Sequence, residues 1–162
     1  MTALILPLVD AAEHWPRRGA LIGLDLGTKT IGVAVSDPDR RLATGVTTIE
    51  RKAFKADAAR LFEIANERAA VGFVLGLPIN MDGSEGPRAQ STRAFARNFS
   101  QLTELAIALW DERLSTVAAH RALRESDLSG ERRRAVVDQV AAALILQGWL
   151  DAQRPMPHGE DE

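Results

Sequence analysis

The chain has 162 residues, 46% hydrophobic and 26% charged, with a formal net charge of −2: the balance of one ordinary globular domain with its own core. It contains no cysteine, which excludes disulfides, thiol catalysis and cysteine-held zinc or iron–sulfur centres. Its three histidines, His14, His120 and His158, are scattered without ligand spacing, so any metal should be a hard ion held by carboxylates.

In chain order, residues 1–19 read as an N-terminal extension ending at Pro16-Arg17-Arg18-Gly19. Their apolar stretch is short, lacks a basic start and runs into Asp10 and Glu13, unlike a signal peptide. No run approaches the ~20 apolar residues of a membrane span. The expected location is the cytoplasm. Residues 20–152 form the expected domain. Ala20 to Leu26 and Thr30 to Ser36 are strand candidates joined by Gly27-Thr28-Lys29. Pro38-Asp39-Arg40-Arg41 turns the chain into a third strand, Leu42 to Ile49. Connections this short favour an antiparallel meander.

The pattern then alternates. Phe54 to Ala69 is helical, with Phe54, Ala58, Leu61, Phe62, Ala65 and Ala69 on one face. Val71 to Leu75 is a buried strand closed by Gly76-Leu77-Pro78. Pro87 to Leu102 has helical spacing, with Pro87 in the first turn. Leu105 to Trp110 is a strand, Ser115 to Arg124 a helix capped by Ser115 or Thr116, and Val136 to Leu150 the most apolar helix. Residues 153–162 read as a flexible acidic tail. The order β-β-β-α-β-α-β-α-α describes a mixed five-stranded sheet, three strands in a meander and two parallel strands added by crossovers, flanked by helices. That α/β order is characteristic of the RNase H-like fold.

Asp25 sits in the strand ALIGLDL, where alternation places Leu21, Gly23 and Asp25 on one face. An ionised carboxylate in such apolar surroundings is costly unless it is paired or binds a metal, and Gly23 and Gly27 leave room for a ligand. The competing role is a strand-end aspartate capping the Gly27 turn. Asp37, before Pro38, reads as a turn former. Asp111 and Glu112 are adjacent, so only one should reach a site, the other pairing with a base such as Arg113 or capping the next helix. Asp138 opens the last helix and shares a stripe with Ala141, Ala142, Ile145 and Trp149; the N-terminal helix dipole alone would also explain an acid there. Asp127 and Asp151 have weaker claims. Three clustered acids suit phosphodiester hydrolysis, in which two Mg²⁺ or Mn²⁺ ions about 4 Å apart serve the attacking water and the leaving oxygen. Without metal each close pair repels by roughly 4 kcal/mol at 4 Å and an effective dielectric of 20.

Candidate phosphate contacts are Lys29, Arg88, Arg93, Arg97, Arg113 and the run Arg132-Arg133-Arg134. Asn80, in the loop after a strand, could meet a phosphate or base, while Asp82-Gly83 reads equally as a tight turn. The pI near 6.0 counts mildly against indiscriminate nucleic-acid binding. Glu160, Asp161 and Glu162 supply three of the 22 acids, however, and the rest of the chain is near neutral. Tyrosine is absent and Trp110 and Trp149 occupy core-like positions, so backbone and shape recognition is favoured over base stacking.

Four blocks occur in order: GLDLGTKTIGVAVSD, GLPINMDGSEG, DERLST and VVDQVAAALIL. From about Ala20 to Leu150 the chain resembles the YqgF/RuvX family, relatives of the RuvC Holliday-junction resolvases. The resemblance implies an RNase H-like fold and metal-ligand roles for Asp25, Glu112 and Asp138. It also implies Mg²⁺ or Mn²⁺ as cofactor and a role in 5′-end maturation of pre-16S rRNA, so that the partner would be RNA of the pre-ribosomal particle. Resolution of branched DNA is the competing activity, and it would require a dimer; the expectation here is a monomer or weak homodimer. One departure is Gln139, where the family commonly has a small residue. Two other classes fit the sequence less well. A phosphotransferase of the actin or sugar-kinase type would need a second glycine-rich domain. A non-catalytic RNA-binding module would not need all three acids.

Overall fold

The computed structural model describes residues 5–6, 15–114, 117 and 131–153, the first pair and residues 131–136 as backbone. The expected helix Ser115 to Arg124, apart from Val117, and the tail lie outside the described residues. The elements are β1 (Ile5–Leu6), β2 (Ala20–Leu26), β3 (Thr30–Ser36), β4 (Ala43–Glu50), α1 (Phe54–Glu67), β5 (Ala70–Leu77), α2 (Pro87–Ser100), β6 (Ile107–Asp111), a 3-10 turn (Glu112–Leu114) and α3 (Glu131–Gln153).

The sheet order is β1-β6-β5-β2-β3-β4. β2, β3 and β4 form the expected antiparallel meander, and β5 and β6 add in parallel on the other side of β2. The five expected strands are all present, and a sixth joins them. Ile5–Leu6, from the segment read as a mere extension, pairs in parallel with Ile107 and Ala108. Farther along that segment Trp15 is buried in the core. Gly72 makes room for it, since a Cβ there would collide with the indole ring.

Strand alternation splits the core in two. Ile22, Leu24, Ile31, Val33, Phe73, Leu75 and Ile107 face α1 and α2, where Leu61, Ile64, Phe95 and Phe99 complete the cluster. Leu21, Ala34, Val74, Ala108 and Trp110 face α3, against Ala142, Ile145, Leu146 and Trp149. Buried on both faces, β5 and β2 read as nearly continuous apolar runs, as central strands must.

β4 runs Ala43–Glu50 rather than Leu42 to Ile49, α2 ends at Ser100 rather than Leu102, and β6 runs Ile107–Asp111 rather than Leu105 to Trp110; three further boundaries shift with more consequence. α1 stops at Glu67, and Ala69, expected on its buried face, has a left-handed φ of 51° that turns the chain into β5. Gly76 and Leu77 continue β5 instead of closing it. α3 begins at Glu131 rather than near Val136, so Asp138 is its eighth residue, two turns in. The helix dipole falls off within the first turn and does not account for an acid at that depth.

Candidate active site

The face of the sheet that meets α3 carries unusually little side-chain bulk. Gly23 lies under Ala142 and Leu146, Gly45 under Gln139, and Gly32 under the backbone of Asp138. A Cβ on Gly32 would overlap the Asp138 carbonyl, so the absence of a side chain is what lets the helix come down onto β3. Gly45 likewise accommodates Gln139 on β4, which is how the larger residue after Asp138 is housed.

Asp25 shares this face, two residues beyond Gly23, and is 1% exposed. Its antiparallel partner on β3 is Gly32, the residue that abuts Asp138. Asp138 is 6% exposed and accepts a hydrogen bond of 2.6 Å on its Oδ2 from the Thr30 hydroxyl. On the other side of β2 lies β5, where Gly76 faces α3. A Cβ there would collide with Glu112 Oε2 and with Ile145. Glu112, 3% exposed, follows directly on the C-terminal end of β6. β2, β5 and β6 run parallel, so Asp25, Gly76 and Glu112 lie at the same end of the sheet. α3 brings Asp138 to that end over β3. Three buried carboxylates from distant parts of the chain thus occupy one end of one face, with two glycines between them.

The donor chemistry suits a hard divalent cation, being all carboxylate oxygen. Among the described residues, however, no three His, Cys, Asp or Glu side chains are gathered into a set that could hold an ion. The three acids share a floor without forming a closed ligand group.

Of the adjacent acids, Asp111 turns away. It accepts the Arg113 backbone N–H at 2.9 Å and pairs with its guanidinium at 2.7 Å, which holds its carboxyl below the usual range. Asp37 accepts the N–H groups of Arg41 and Leu42, as a turn former does, and its pKa is lowered chiefly by the Leu42 N–H.

The expected phosphate contacts fare differently. Lys29 is exposed in the β2–β3 turn. Arg88 is half-buried near the start of α2, with one guanidinium nitrogen 3.4 Å from the Leu26 carbonyl oxygen. Arg93 is engaged by Glu85 through Nε and Nη2, and Arg113 by Asp111, so both already have carboxylate partners. Arg97 is exposed on the last turn of α2. Asn80 donates to Ser84 Oγ, and Asp82 accepts from the Ser84 N–H and hydroxyl, so both hold the loop after β5 in shape. Arg132, Arg133 and Arg134 fall in the first two turns of α3, and their side chains lie outside the described residues. Asp127 is also outside them, and Asp151 is exposed on α3, where Gln147 donates to it.

Sequence reasoning missed Thr30, whose partner is 108 positions away. It also missed Arg51, which follows β4 and donates to the Gly27 carbonyl at 2.6 Å. No local pattern marks either residue. A cavity of about 650 Å³ lies at the opposite end of the sheet, lined by Phe62, Ala69, Leu102 and Leu105 among others, away from the three acids.

A family model described as RuvX, Holliday junction resolvase, matches residues 19–152. A relative named "Putative pre-16S rRNA nuclease" from Nitrobacter hamburgensis is 73% identical over 151 residues, covering 93% of each chain. One of the same name from Bradyrhizobium diazoefficiens is 74% identical, covering 93% of this chain and 94% of that one. Among solved structures, T. thermophilus RuvC in complex with a Holliday junction substrate superposes with a TM-score of 0.52 at 13% identity, over 83% of this chain and 95% of that one. T. thermophilus RuvC by itself gives 0.50 at 10% identity, over 82% and 95%. At such identities the likeness is one of fold.

Proposed function

The chain belongs to the RuvX family and has an RNase H-like fold, and on that premise we propose that it is a cytoplasmic metal-dependent nuclease that trims the 5′ end of pre-16S rRNA. The observation that carries this reading is the delivery of Asp25, Glu112 and Asp138, each buried, to one end of the sheet face beneath α3. The names of the 73–74% identical relatives supply the substrate class.

In this reading Asp25, Glu112 and Asp138 hold Mg²⁺ or Mn²⁺. Bound divalent ions lower the pKa of a water nucleophile and stabilise the leaving oxygen of the phosphodiester. Thr30 sets the orientation of Asp138 through its hydrogen bond. Gly32 and Gly76, lacking side chains, let Asp138 and Glu112 approach the strands on either side of Asp25. The sheet and α3 exclude water from beneath, which strengthens charge interactions in the pocket.

The test compares wild type with Asp25→Asn on 5′-extended pre-16S rRNA and on a four-way DNA junction, with and without Mn²⁺. The expected result is metal-dependent trimming of the RNA, lost in the variant while its circular dichroism is unchanged. Equal cleavage by Asp25→Asn would overturn the mechanism. Junction cleavage by a dimer, with the RNA left intact, would reassign the substrate to branched DNA. RNA binding without cleavage by wild type would make the protein a binding module.

A further inference from the structure

A second cavity, of about 250 Å³, opens at the same end of the sheet but on its other side, between the β2–β3 turn and the start of α2. Leu26, Gly27 and Thr28 form one wall, one residue beyond Asp25. Arg51, Arg88 and Thr92 form much of the rest. We propose that this cavity is a subsite for a backbone phosphate of the nucleic-acid strand, held next to the phosphate that is cut. The proposal rests on the nuclease reading and adds to it a location and a set of residues.

Five features support it. α2 is 14 residues long, its N-cap Gly86 offers no side-chain cap, and its first turn has no acid. Pro87 has no N–H, the Ala89 amide is a first-turn donor without an intrahelical acceptor, and the helix dipole adds positive potential there. Thr92 is 3% exposed and lines the cavity, and no hydrogen bond from its hydroxyl is found among the described residues. The hydroxyl oxygen is not among the desolvated atoms, so it is open to donate to an acceptor that enters the cavity. Arg51 is anchored by its Nη1 bond to the Gly27 carbonyl and lies over the Phe95 ring at 5.8 Å, which aims a planar set of donors at the site. None of the described residues lining the cavity is acidic. Its volume admits a phosphate with some of its hydration, at about 30 Å³ per water.

Placement explains the use. Asp25 faces α3 and this cavity faces α2, with the strand end between them. A strand crossing the end of the sheet could lay one phosphate over the carboxylates and a neighbouring one in the cavity.

The test measures binding of the full-length protein to a short single-stranded RNA by fluorescence anisotropy over a series of salt concentrations, together with steady-state cleavage of 5′-extended pre-16S rRNA. Arg51→Gln removes a donor group, and Ser91→Glu sets a negative charge at the exposed mouth without touching the core. Both variants should weaken RNA binding about tenfold and raise KM with kcat nearly unchanged. Arg51→Gln should also make the slope of log K against log salt shallower by about one. Arg51→Lys should recover part of the loss. If wild type binds and cleaves RNA while Arg51→Gln and Ser91→Glu match it in Kd, KM and salt slope, the subsite is wrong and the nuclease reading stands. If wild type neither binds nor cleaves RNA, both fall. Inorganic phosphate that displaces RNA from wild type but not from Ser91→Glu would support the assignment, and phosphate that binds wild type but not Ser91→Glu while leaving RNA affinity unchanged would assign the cavity to a free anion and overturn it.

Discussion

A hydroxyl far away in sequence holds one of the three acids. Thr30 Oγ donates to Asp138 Oδ2 across 108 positions of sequence, at a distance typical of a charge-assisted bond. In the proposed nuclease, Thr30→Val should lower activity about 10- to 100-fold, the usual effect of removing a partner that orients a metal ligand, and Thr30→Ser should restore most of it. The distinguishing readout is the Mn²⁺ concentration for half-maximal rate, which should rise in Thr30→Val; a purely structural role would lower the melting temperature and leave that concentration alone. The Asp111–Arg113 pair shows the same logic on the outside of the site. By occupying each other, these two leave Glu112 as the acid that enters the protein. The neighbours DER thus sort themselves by partner: one acid finds an arginine two residues on, the other finds the gap above Gly76.

The decisive element is α3, and what positions it is the bulk missing beneath it. Gly23, Gly32, Gly45 and Gly76 lie on four adjacent strands and would each collide with a neighbour if given a Cβ. Gly32→Ala should be the most informative substitution, since its methyl would meet backbone, which cannot rotate aside. It should cost about 1–3 kcal/mol or more in denaturant unfolding, the range for overpacking a core, and should impair cleavage by displacing Asp138. Gly45→Ala meets the Gln139 side chain first, at 2.9 Å, and should cost less. Equal losses at the two sites would show that α3 shifts freely on the sheet. A sequence of hydrophobic alternation predicts the strands, and the glycines within them mark where a helix comes close, but which helix does so is invisible until the chain is folded.

At the scale of the whole molecule, the N-terminal segment is part of the structure. The family match begins at residue 19, yet Trp15 packs edge-on against Trp149 with ring centroids 5.0 Å apart, and Ile5–Leu6 extends the sheet. Trp15→Ala should destabilise the protein by about 3–5 kcal/mol, as large aromatic truncations in cores do. A melting temperature unchanged by that substitution would show the segment to be dispensable. Acid should also weaken the fold through its surface pairs. Arg113 holds Asp111, and Arg93 holds Glu85, below their ordinary values of 3.8 and 4.5. A depressed folded-state pKa adds stability that is complete above the unfolded value and disappears as pH falls through the folded one. Unfolding free energy should therefore be flat from these groups above about pH 5.5 and should decline below the ordinary carboxylate range. Arg93→Met combined with Arg113→Met should flatten the acid limb; an unaltered limb would show that neither pair contributes.

Much of this protein was legible in its one-dimensional order. Short turns and period-two alternation required a meander, and apolar runs alternating with helical spacing required parallel strands with crossovers, because those patterns can bury their faces in few other ways. The acids stood out because a carboxylate amid Leu, Ile and Gly has to be explained. Three things needed the folded chain: which of Asp111 and Glu112 turns inward, how deep in its helix Asp138 lies, and that Thr30, Arg51 and Trp15 matter at all. Each depends on contacts between residues far apart in sequence, and such contacts leave no periodicity in the chain that makes them.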